Sequence, residues 1–145
     1  MNSTKLIVGA LFILSLSSCA SSGPKYQAYS DEFRKNAVEV VVFRRAKTLG
    51  AGECPNVFVN EQKLGKLTNG SYLRILIPSL TGSLVVRVYE REVVVRAVDE
   101  TQKRYFFEYA PGYQGEKLQF LGEPSALPVV SELGLSSQSA ICARS

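Results

Sequence analysis

The chain has 145 residues, 46% hydrophobic and 21% charged, with a formal charge of +4, three cysteines and no histidine. That length holds one ordinary domain, and the missing histidine removes the commonest general base, the commonest transition-metal ligand and every Ser-His or Cys-His pairing. A positive charge this mild allows an anionic partner without requiring one.

The first element in chain order is a secretory signal. Lys5 precedes the uninterrupted apolar run Leu6 to Leu14, which is too short to span a bilayer and is closed by small residues. The run ends in Leu16-Ser17-Ser18-Cys19, which resembles the bacterial lipobox. In that motif a leucine-led tripeptide is cut before a cysteine whose sulfur is acylated and whose new amino terminus is acylated in turn. The resemblance implies that residues 1–18 are removed and that Cys19 becomes the first residue of a lipoprotein. One acyl chain gives only reversible membrane binding, whereas two or more hold a protein on a bilayer. Ala20 stands where an aspartate would favour retention at the inner membrane, so the same resemblance points to the outer membrane, with the domain facing the periplasm.

Residues 19–30 have the composition of a flexible tether, small and polar through Ala20-Ser21-Ser22-Gly23-Pro24. Residues 31–145 then form a single domain. With Cys19 acylated, Cys54 and Cys142 remain as an even pair, and an oxidising envelope compartment favours a disulfide between them.

From Val38 the chain reads as strands broken by turn residues. They are Val38 to Arg44, Asn56 to Asn60, Lys63 to Leu67, Tyr72 to Pro78, Ser83 to Glu90, Val93 to Val98, Lys103 to Tyr109 and Lys117 to Leu121. Asn69-Gly70 and Thr81-Gly82 mark turns, and Pro78 removes a ladder donor at a strand end. Seven or eight short strands at this spacing predict an all-β domain, an antiparallel β-sandwich of transthyretin-like or Ig-like type. Phe33 to Ala37 and Pro128 to Leu135 are each expected to hold no more than a helical turn.

The order strand, Asn56 to Asn60, Lys63-Leu64-Gly65-Lys66-Leu67, Asn69-Gly70-Ser71-Tyr72, valine strands and aromatic strand resembles the bacterial lipoprotein family catalogued as domain of unknown function 2846. The resemblance spans roughly Val38 to Leu121. It departs from the family at Pro78-Ser79-Leu80-Thr81-Gly82, where a Pro-Gly pair is usual. It implies a small β-sandwich at the cell envelope and no established activity.

Few residues invite chemistry. The cysteines leave no thiolate zinc site, and neither a GxxxxGK[ST] nor a GxGxxG motif is present. Glu90, Glu92, Asp99 and Glu108 are the carboxylates a wall hydrolase would need, yet Glu90 and Glu92 flank a tight reversal beside Arg91 and Asp99 sits with Glu100 in a polar turn, so solvated turn charge is the better reading. The basic residues, Arg44-Arg45 among them, read as the wet face of a sheet rather than a nucleic-acid track. In Tyr105 to Tyr109, alternation sends Phe106 and Glu108 to one face and Tyr105, Phe107 and Tyr109 to the other. Tyr113, between Gly112 and Gly115 in a loop, is the candidate partner contact. The expectation is therefore a lipid-anchored binding or assembly module, not an enzyme and without a cofactor, whose partners are the membrane and an envelope protein or cell wall. The alternatives are a carboxylate-dependent cell-wall hydrolase and a carrier of a small apolar ligand lined by the valines between Val85 and Val98.

Overall fold

The computed structural model describes residues 23–32, 35–78, 80, 82–96 and 101–136. The signal segment 1–18, Cys19, Cys142, Asp99 and Phe33 of the expected first helical turn lie outside the described residues.

The domain is a sandwich of two mostly antiparallel sheets with one short helix. In chain order the strands are β1 (Ala37–Arg44), β2 (Asn56–Val59), β3 (Gln62–Lys66), β4 (Ser71–Pro78), β5 (Leu84–Val88), β6 (Arg91–Val95), β7 (Arg104–Ala110), β8 (Lys117–Leu121) and β9 (Gly134–Leu135), with α1 (Glu123–Val130) before the last. Sheet A has the order β8-β7-β1-β4-β9 and sheet B the order β3-β2-β5-β6. The all-β sandwich expected from turn spacing is the observed architecture, but it is not wholly antiparallel. β1 pairs in parallel with β7, Val42 opposite Phe107, and β4 pairs in parallel with β9. A parallel pair needs a crossover, and here sheet B supplies it between β1 and β7.

Side chains alternate between two cores. Val38, Val40, Val42, Leu73, Tyr105, Phe107 and Tyr109 of sheet A pack against Val57, Val59, Leu84, Val86 and Val88 of sheet B. Val41, Phe43, Tyr72 and Phe106 point the other way, under Ala126 and Val130 of α1, Leu133 and Tyr26. Sheet A is therefore buried on both faces, which is why β1 is apolar almost without interruption instead of alternating. The expected alternation of Tyr105 to Tyr109 holds, and both of its faces are covered.

The helix begins earlier than Pro128. Pro124 occupies the first turn, where its missing N–H is not needed, and Glu123 in that turn forms an ion pair with Arg104 of β7 at 2.9 Å. Pro128 lies inside the helix and removes one bond, a loss confined to a helix of eight residues. The β2–β3 reversal falls on Asn60-Glu61, both at positive φ, one residue before the position the sequence suggested.

The largest departure is at the amino terminus. Residues 23–30, read as the end of a flexible tether, lie on the domain as a strap. Lys25 forms an antiparallel bridge with Gly134, so the strap continues sheet A beyond β9. The Pro24 carbonyl accepts from Leu135 N at 2.8 Å and from Tyr72 Oη at 3.2 Å, and Lys25 Nζ donates to the Glu132 carbonyl. A Cβ built on Gly23 would stand 2.1 Å from the Leu135 carbonyl oxygen, so only glycine lets the backbone approach this closely. Composition missed this because the strap is held by backbone hydrogen bonds, the Lys25 side chain and two tyrosine rings rather than by an apolar run.

Candidate functional site

Two regions hold the polar and exposed aromatic groups. The first lies under the strap. Tyr26 is 6% exposed and packs edge-on against Tyr72, centroids 5.4 Å apart, and Phe106 at 6.2 Å. It covers Glu39 of β1, whose side chain is fully buried and faces Arg74 Nη1 at 3.8 Å. Burial, and then the neighbouring Glu39 carboxylate, push the Tyr26 hydroxyl well above its ordinary pKa. Arg74 also donates to the Gln27 carbonyl at 2.7 Å and stacks over the Tyr29 ring at 4.0 Å, so one arginine clamps two residues of the strap. The arrangement holds a chain segment and presents no open cleft.

The second region is the end of the sandwich where β1, β5 and β7 finish. Arg44, read from sequence as a solvated basic residue, is fully buried. Its Nη1 donates to the Glu53 carbonyl at 2.8 Å and its Nη2 to the Gly50 carbonyl, so it organises the β1–β2 loop from below. Burial lowers its pKa from the usual value, an effect opposed by Tyr109, Glu53 and Tyr89. Sequence reasoning missed the role because Arg44 is followed by Arg45, and two adjacent arginines resemble a wet edge. A buried arginine is tolerated here because backbone carbonyls meet donors on both of its Nη groups.

Tyr109 is buried beside this guanidinium, and Tyr89 packs against it with ring centroids 6.3 Å apart. Burial first, then Glu53 and Glu116, raise the pKa values of both tyrosines, with Arg44 opposing. Tyr89 sits at φ 52°, a left-handed conformation that costs a bulky side chain about 1–3 kcal/mol. Its ring is 40% exposed, so the strain holds an aromatic surface partly in solvent. The positive φ was not legible in the sequence, where Tyr89 read as the last part of a strand.

Tyr113 is where the sequence placed it, on the β7–β8 loop, and is 94% exposed. It borders a surface depression of about 390 Å³ together with Lys47, Pro111 and Lys117. Gly115 of the same loop lies against Arg91, its virtual Cβ 3.2 Å from the guanidinium, which places Tyr113 and the β5–β6 reversal at one corner. With Tyr89, this corner carries two of the four large exposed apolar side chains among the described residues, while Phe120 stands farther along β8 against Tyr105 and Phe107. Tyrosine and arginine displayed together on a rigid scaffold suit protein contact, since each carries apolar area and a polar handle.

Among the described residues, Glu90, Glu92 and Glu108 do not gather at one site. Glu90 and Glu92 are exposed on the β5–β6 hairpin of sheet B. Glu108 lies on β7 of sheet A and is nearly buried rather than solvated. It accepts from Arg45 Nε at 2.6 Å and from Gln119 Nε2 at 3.2 Å. The valines suggested as a cavity lining fill space instead: Val86 and Val88 are fully buried in the core between the sheets, and Val94 faces solvent. Among the described residues no group of three or more His, Cys, Asp or Glu side chains is placed to hold a metal, and no helix is long and apolar enough to cross a membrane. Cys54 is disulfide-bonded, and the other two cysteines, Cys19 and Cys142, both lie outside the described residues.

Comparison of the chain with protein-family models, curated proteins and solved structures finds no match.

Proposed function

We propose that this protein is a lipid-anchored component of a bacterial envelope, at the outer membrane, that presents a β-sandwich to the periplasm as a binding or assembly module and is not an enzyme. The observation that carries this reading is Cys19 directly after Leu16-Ser17-Ser18, at the end of the apolar run Leu6 to Leu14 with Lys5 before it. The pattern resembling domain of unknown function 2846 agrees with an envelope lipoprotein. The corner of Tyr89, Arg91 and Tyr113 supports the binding role, because it pairs exposed aromatic area with a cation.

Acylation of Cys19 would also name the partner of Cys54. With Cys19 consumed, Cys142 is the only cysteine left, and the bridge would fasten the carboxy-terminal tail to the loop that Arg44 supports. Cys19→Ser tests the reading: the variant is expected to accumulate as an uncleaved precursor without a fatty-acid label. A normally cleaved, soluble product would overturn it.

A further inference from the structure

The strap shortens the tether, and the shortening has a direction. We propose that the sandwich stands on the bilayer through the edge formed by the strap, β9 and β3, so that β6, β8 and the Tyr89/Tyr113 corner always face away. The inference rests on the lipid-anchor reading above and adds an orientation and a contact surface to it.

If Cys19 carries the acyl chains, only four residue steps separate it from Gly23, the first described residue of the strap. Fully extended, four steps span at most about 14 Å. In sheet A the order from the strap is β9, β4, β1, β7, β8. Five strand spacings of about 4.8 Å put β8 roughly 24 Å from the strap. With Gly23 docked, a tether of about 14 Å bars the inverted pose, in which β8 meets the lipid edge-on and the strap stands about 24 Å above it. Sheet B is arranged the same way, with β3 beside β4 and β6 beside β8, so its β6 edge is held away too.

The edge left toward the membrane fits a headgroup surface. Ser136 follows β9 directly, and its Oγ donates to the Lys66 carbonyl at 2.6 Å, joining the strap side of sheet A to β3. Lys63 and Lys66 are exposed and line a shallow depression of about 340 Å³ along β3, where phospholipid phosphates can approach. Lys25 lies on the same edge, as do the carboxylates of Glu61 and Glu132, which leaves one net positive charge. The tether bars the inverted pose, and the lysines favour the β3 edge among the poses that remain.

The chain contains no tryptophan, so a single introduced tryptophan reports without background. Full-length lipidated protein carrying Lys66→Trp or Val94→Trp would be reconstituted into phosphatidylethanolamine/phosphatidylglycerol vesicles that contain a lipid with a spin-labelled headgroup. Lys66→Trp is expected to lose at least half of its emission, and Val94→Trp less than a tenth. Adding Gly23→Ala, which pushes a methyl into the Leu135 carbonyl and undocks the strap, is expected to bring the two losses together while the protein still floats with the vesicles. Equal quenching without that substitution, or a persistent difference with it, would overturn the orientation and leave the anchor reading standing. Failure of the protein to float would overturn the anchor reading itself.

Discussion

Sheets A and B share one apolar core, yet only sheet A has a second. On its outer face Val41, Phe43, Tyr72 and Phe106 are roofed by α1 and Tyr26, while the outer face of sheet B carries Phe58 under Arg87 at 4.7 Å, Glu92 and a half-exposed Val94. There Arg87 caps the Phe58 ring, in place of a helix or strap. The difference teaches that this is a three-layer domain in which the third layer is built from the two ends of the described chain, the strap and the segment from α1 to β9. Sheet A is thus covered on both faces, and the outer face of sheet B is the more exposed of the two.

The comparison breaks most readily at a ring on each side. Phe106→Ala empties space under α1 and the strap, and is expected to cost about 3–5 kcal/mol in urea unfolding. Val94→Ala is expected to stay within about 0.5 kcal/mol, the range of ordinary surface changes. Similar losses at the two positions would mean that the outer face of sheet A is not a true core.

Next in size is the strap. Tyr26→Ala removes a ring that is nearly fully buried, an apolar burial that contributes about 1.5–3 kcal/mol. The loss should appear together with faster proteolysis around residues 23–32, because Arg74 then holds the segment without the ring beside it. Unchanged cleavage would separate the strap from the roof over sheet A.

A smaller and opposite effect is expected in sheet B. Glu61 sits at φ 66° in the two-residue β2–β3 reversal after Asn60 at φ 44°. Asn60 is well suited there, and its Oδ1 also accepts from Val85 N at 2.9 Å. Glu61 is not, since the left-handed region costs a side-chain-bearing residue about 1–2 kcal/mol. Glu61→Gly restores the favoured Asn-Gly pair and is expected to raise stability by roughly 0.5–1 kcal/mol, after the glycine's added unfolded-state entropy. Thermal unfolding that shows no gain would place the strain elsewhere.

These cases also show what the sequence could and could not disclose. Strand positions were legible because turn residues punctuate them, and Lys117–Leu121 was read to the residue. The unbroken apolarity of Val40 to Phe43 already carried the signal of a sheet covered on both sides. What covers it was hidden: α1 is only eight residues long and contains two prolines, and the strap has the makeup of a linker with Tyr26 and Tyr29 embedded in it. The exposed loop position of Tyr113 was legible because a ring between glycines stands out. Tyr89 and Arg44 owe their roles to long-range contacts, with Tyr109 and with the Gly50 and Glu53 carbonyls, and no local pattern announces those.

The most finely graded difference between the sheets is their response to alkali. Tyr26 and Tyr72 on the outer face of sheet A both have pKa values raised by burial, and for Tyr26 the Glu39 carboxylate adds to the rise. A raised pKa means that the folded state favours the neutral phenol. The corresponding stability is complete below the unfolded tyrosine value of about 10 and is lost as pH climbs from there toward the folded values. The protein is therefore expected to keep constant stability from these groups through neutral pH and to weaken above about pH 10, the strap opening first. Tyr26→Phe keeps the ring and removes the ionisable group, so the alkaline loss should shrink even if stability at neutral pH changes little. Unfolding midpoints measured at several pH values on both proteins would read this directly. If the two proteins lost stability in parallel, the alkaline sensitivity would belong to Tyr109 and the Arg44 end instead of to the strap, and the outer layer of sheet A would be held by packing and backbone hydrogen bonds alone.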